Sequence, residues 1–297
     1  MRCCASALRP RIPHDPARMN EAATKPRPAR RILKIFAKGN VDVRDSLLFS
    51  RVNGVLQWNG LNELLRPRHP GILAKVRHET CTRLDLVPLP GEEPLHAVPA
   101  DVASRLPSGS HPIDRQQRTT LFDEPVDVVV LSLQSAATNA LVRHRRDGWL
   151  LLPDEIETWP EEPRAFLGRE CEFAGLADLD VTMQRLERLV LAIEEKLGAQ
   201  VLVYNLSPVT PGERTHCWIG AEDSLTLRVQ RFNLALAQLS AKLGFSVVDV
   251  DRIVACAGAD RLKVDLFHLK AEGWKLLAEE VLRILEERGC LDMAGAT

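Results

Sequence analysis

Neither sign of charge is in excess. The 39 Lys and Arg balance 40 Asp and Glu for a formal net charge of -1, so no broad basic field supports nucleic-acid or anionic-membrane binding. A small-molecule partner is expected instead. The seven cysteines (Cys3, Cys4, Cys81, Cys171, Cys217, Cys256 and Cys290) are odd in number, scattered, and form no C-x-x-C. That excludes a disulfide framework or zinc ribbon and reads as reduced, cytosolic thiols. His216-Cys217 and His268 have no H-x3-H or C-x2-C spacing, so no metal is expected, and no cofactor is called for. No run of 18 apolar residues occurs, and residues 1 to 30 lack the apolar core of a secretory signal. A soluble, intracellular protein is the expectation, with no membrane partner.

What is present begins with a tail. Residues 1 to 30 hold five prolines and seven Lys or Arg against two acids, a composition suited to disorder rather than packing. Met19 offers a second position at which the chain could start. Arg31 to Gly39 predicts the first strand, and Gly39-Asn40 breaks it before a helix-like stretch. Val52 to Leu65 reads as a short strand, a turn at Asn59-Gly60 and a short helix. Residues 66 to 83 are locally basic, through His69, Arg77 and His78, and predict a solvated loop or an anion-binding edge. Residues 88 to 125, rich in Pro, Gly, Ser and His, predict an irregular excursion or lid, with a short helix near Asp101 to Leu106.

Val126 to Leu133 is apolar on both faces and predicts a central parallel strand. Gln134 to Asn139 follows at its carboxyl end, where open α/β sheets place ligands. Arg143, His144, Arg145 and Arg146 read as a solvated basic cluster. Residues 181 to 197 and 225 to 243 carry apolar stripes three and four apart, giving two long helices that stop at Gly198 and Gly244. Strands at Val201 to Tyr204 and Phe245 to Val250 follow those helices. The alternation predicts a three-layer, doubly wound parallel α/β sheet. One domain is expected over residues 31 to 290, with 291 to 297 as a second tail.

Asp265 and His268 stand three apart just before an amphipathic run that reaches about Arg288. A carboxylate at that spacing can orient one imidazole nitrogen while the other faces outward. This block resembles the C-terminal Asp-x-x-His of the SGNH/GDSL hydrolases, and the resemblance covers most of residues 31 to 289. It implies a flavodoxin-like strand order of 2-1-3-4-5 and an active site of Ser-His-Asp type acting on an ester, thioester or acyl group of a small molecule, by hydrolysis or acyl transfer. His268 would be general base and Asp265 its orienter.

Two of the family's other blocks are altered. Gly39-Asn40-Val41 occupies the place of Gly-Asp-Ser, with valine where the serine belongs, whereas Arg44-Asp45-Ser46-Leu47 matches the GDSL string with arginine for glycine. Ser46 is the candidate nucleophile; Asp42 or Asn40 working with His268 is the alternative. Gly39, Asn40 and Gly60, or Gly54 in its place, are the candidate oxyanion donors. The family's Gly-x-Asn-Asp is missing, which leaves Asn139 or Gln134 as the amide donor. Two further readings stay open. One is an SGNH-fold enzyme with non-serine chemistry around Asp265 and His268, in secondary metabolism or polysaccharide modification. The other is a catalytically dead binding protein.

Overall fold

The computed structural model describes residues 30–52, 55–94, 96–107, 109, 111–212 and 224–292, and side chains are described outside residues 49–57. The tail over 1–29, Gly54 and His216-Cys217 lie outside the described residues. Five parallel strands form the main sheet: β1 (Arg31–Lys38), β2 (Ile72–Glu79), β3 (Val128–Ser132), β4 (Gln200–Tyr204) and β5 (Ser246–Val248). Their lateral order is β2-β1-β3-β4-β5. This is the doubly wound 2-1-3-4-5 arrangement, with its topological switch between β1 and β3.

Strand alternation gives each face its own core. On one face Leu33, Ile35, Ala37, Val128, Val130, Leu202 and Tyr204 pack against α1 (Val41–Leu47), α2 (Leu61–Arg68), α5 (Val250–Ala257) and α6 (Ala271–Glu287). On the other, Phe36, Val129, Leu131, Val201 and Val203 pack against α3 (Leu179–Leu197) and α4 (Leu225–Leu243). Asp178 and Ser224 cap the starts of those two helices by accepting from the third amide along, and Gly198 and Gly244 close them in the left-handed region.

Two stretches differ from the sequence expectation. The basic segment expected as a loop contains β2. Ile72 and Ala74 face the core while Lys75 and Arg77 point away, and charges on alternate positions are what an outer strand with one wet face carries. Its basic groups are engaged. His69 Nε2 meets Glu286 at 2.9 Å, and Arg77 lies over the Phe36 ring at 4.9 Å and donates to the Thr120 carbonyl at 2.9 Å.

The excursion over 88 to 125 is likewise packed rather than loose. Leu106 and Ile113 join Trp149, Leu151, Trp159 and Leu167 in a third apolar cluster, beside a small sheet made by Leu141–His144, Leu150–Leu151 and Cys171–Gly175. The expected helix is there as one turn, Ala100–Ala103. Within the basic cluster, His144 stacks on Trp149 with ring centroids 4.7 Å apart, and Arg145 and Arg146 pair with Glu172 and Asp147. Among the described residues no helix is long and apolar enough to cross a membrane.

Candidate active site

At the switch point the chain leaves β1 through Gly39. A Cβ there would lie 2.6 Å from Val43 Cγ2 and 3.0 Å from the Ser132 Cβ, so glycine is what lets α1 and β3 close on this turn. The Gly39 N–H donates to the Glu79 carbonyl at 3.1 Å and the Asn40 N–H to Asp42 Oδ1 at 3.1 Å. The backbone donors of Gly39 and Asn40, expected to hold an oxyanion, are therefore already used. Val41 opens α1 at the serine's place in the family pattern and brings no nucleophile.

Ser46 is a core residue. It is 0% exposed, its hydroxyl lies 2.9 Å from the Asp42 carbonyl and 3.1 Å from that of Val43, and the Tyr204 hydroxyl is 3.0 Å away. This is a helix hydroxyl bonded back to its own preceding turn. Gly60 is a packing glycine: φ is +72°, and a Cβ would stand 2.4 Å from the Leu47 carbonyl oxygen. Asn139 caps the turn Gln134–Thr138 and spends its amide N–H on the Thr82 carbonyl at 2.8 Å. The Gln134 side-chain oxygen is buried without a hydrogen-bond partner among the described residues.

Asp42, buried beneath this turn, accepts from the Ser132 hydroxyl. Burial pushes its carboxyl up, against the pull of Ser132 and nearby backbone amides. Asn40 Oδ1 accepts the Cys81 N–H at 3.2 Å. A backbone amide can only donate, so that atom is the oxygen, and His111 Nε2, 3.1 Å from it, must carry its proton. His111 Nδ1 faces Asp154 at 3.1 Å. His111 and Asp154, 43 residues apart, give no local sequence signal and were not anticipated.

By the same logic His78 Nε2 donates to the Gly39 carbonyl at 2.9 Å, and burial, its largest influence, lowers the imidazole toward the neutral form. His78 also lines a cleft of about 670 Å3 shared with Lys38, Glu79, Pro112, Arg118 and Thr120.

The Asp265–His268 pair forms as the spacing predicts. His268 Nδ1 lies 3.0 and 2.8 Å from the two Asp265 oxygens, and Oδ1 also accepts the backbone N–H groups of Phe267 and His268 at 2.8 Å each. Burial pushes the Asp265 carboxyl up, but the His268 amide, its imidazole and the Phe267 amide together hold it below its ordinary value. Both side chains are about half exposed. His268 Nε2 has no hydrogen-bond partner among the described residues. Nor, among those residues, does any hydrogen bond or ion pair join His268 to Ser46, Gly39, Asn40, Gly60 or Asn139. No three His, Cys, Asp or Glu side chains among the described residues cluster as metal ligands.

No family model matches the sequence, and no curated protein matches it. Solved structures do match. A protein from Slackia heliotrinireducens assigned as an SGNH hydrolase shares 18% identity over 85% of this chain and 98% of its own, with a TM-score of 0.45. A member of the lipolytic G-D-S-L family from Veillonella parvula shares 12% over 86% and 98%, with a TM-score of 0.43. An acetylxylan esterase from Geobacillus stearothermophilus shares 12% over 84% and 93%, with a TM-score of 0.45. The chain's own sheet has the doubly wound 2-1-3-4-5 order, with Asp265 and His268 ahead of the closing helix.

Proposed function

We propose that the protein is an enzyme of SGNH-like fold that cleaves or transfers an acyl group of a small-molecule ester by general-base catalysis from His268, without a serine nucleophile of its own. The observation that carries this reading is the imidazole gripped at Nδ1 by both oxygens of Asp265 while Nε2 is unpartnered among the described residues. Aspartate fixes the tautomer that leaves a lone pair on Nε2 and steadies the imidazolium that forms. That nitrogen takes a proton from water or an acceptor hydroxyl as its oxygen bonds to the acyl carbon. The ester C–O bond then breaks, and His268 returns the proton to the departing alkoxide. Exposed Val264 and Phe267 on the same loop offer an apolar border to the substrate.

A second reading, a non-catalytic binding protein, is favoured by Val41 and by the engaged amides of Gly39 and Asn40. Turnover of p-nitrophenyl acetate and a panel of acylated small molecules separates the two. Wild type is expected to turn over at least one of them, His268→Ala to lose about 100-fold or more, and Asp265→Asn to fall by a similar order through the wrong tautomer. Intact mass after fluorophosphonate treatment should show no adduct. Undiminished turnover in His268→Ala, or a serine adduct in wild type, would overturn the proposal.

A further inference from the structure

The dyad is carried by a loop with little burial to hold it in place, since Asp265 and His268 are half exposed and Val264 is 62% exposed. The loop is closed on itself. Lys263 and Leu269 form an antiparallel bridge, the Val264 N–H donates to the His268 carbonyl at 2.8 Å, and the Lys270 N–H donates to the Leu262 carbonyl at 2.7 Å. Those contacts shape the loop, and Leu262 and Leu269, buried in the core, anchor its two ends.

The polar attachment between those ends comes from Lys263, only 3% exposed, whose ammonium donates to the Ser207 carbonyl at 3.1 Å and to the Val209 carbonyl. Both carbonyls belong to the segment that leaves the carboxyl end of β4, the side of an open α/β sheet on which ligands bind. The Lys263 charge also acts on Asp251, whose carboxyl burial and then Asp249 push up and which Ser207 and Lys263 pull down. A buried ammonium is costly to desolvate and persists where carbonyls and an opposite charge replace its water.

We infer that Lys263 is a positioning residue of the site: its buried ammonium, clamped on the Ser207 and Val209 carbonyls, sets where the Asp265–His268 loop stands over the sheet. This rests on His268 being the base. Lys263 touches no reacting atom in this scheme and acts through the loop.

The test compares wild type, Lys263→Met, Lys263→Gln and His268→Ala by amide hydrogen exchange and by kcat and KM on the ester that wild type turns over. Lys263→Met keeps the aliphatic stem and removes the donor. Exchange at Val264 and Lys270 is expected to speed up about tenfold, because local opening no longer has to break the clamp. kcat is expected to fall about 10–100-fold with KM within about threefold, the signature of a misplaced catalytic group. Lys263→Gln, which can still donate to one carbonyl, should fall between Lys263→Met and wild type in both readouts, and it carries the test if the methionine variant does not fold. Wild-type exchange at Val264 and Lys270 in the variant that folds overturns the clamp whatever the rates. Full turnover in His268→Ala removes the general-base reading instead and leaves the clamp to be judged on exchange alone.

Discussion

Two polar residues, each in a stretch that resembles an SGNH/GDSL motif, have opposite fates. His268 stands on the surface with a carboxylate behind it, whereas Ser46 is enclosed between α1 and Tyr204. Burial raises the Tyr204 phenol well above its ordinary value, with the Ser46 hydroxyl opposing that shift and Asp42 adding to it. Ser46→Ala strands the tyrosine hydroxyl in the core. It should cost about 1–3 kcal/mol in urea denaturation, with kcat per folded molecule within about twofold of wild type. The dyad was legible because its partners lie three residues apart and local geometry decides their contact. The fate of Ser46 was not, because Arg-Asp-Ser-Leu says nothing of which side of α1 meets the sheet. His111 and Asp154 were hidden for a related reason: they meet through folding alone.

Among the elements, β2 was misread as a loop, because lysine, arginine and histidine in a row of eight outweigh an alternation visible only once the strand has a sheet to lie against. Its last residue does more than pair with β1. Glu79 receives Lys38 Nζ at 3.0 Å, the Thr119 hydroxyl at 3.0 Å and the Thr120 N–H at 2.9 Å, strapping the excursion down. Burial pushes the Glu79 carboxyl up, but Lys38 and Thr120 together hold it below the ordinary value. A carboxyl lowered in the folded state contributes stability above its unfolded pKa and loses it as pH falls through the folded value. Glu79→Gln should therefore destabilise the protein by about 2 kcal/mol at pH 7. The gap to wild type should close as the pH is taken below about 4, read by urea denaturation across pH. The long helices, by contrast, were legible end to end, since stripe, cap and terminal glycine are all written locally.

For the molecule as a whole, the doubly wound order follows from alternating strands and helices, and the sequence carried that alternation from β1 to α6. β3 is central, with every residue at 1% exposure or less, so its amides open only with the whole sheet. Hydrogen exchange should be slowest there and faster at the outer strands β2 and β5, with the rate in β3 tracking global unfolding; slower exchange in β5 would contradict the assigned order. The third apolar cluster, around Trp149 and Trp159, shares no side chain with the two cores that sandwich the sheet. Side chains of that cluster can thus be exchanged without touching either core, so that the carboxyl edge can be refurnished while the scaffold beneath it keeps its packing.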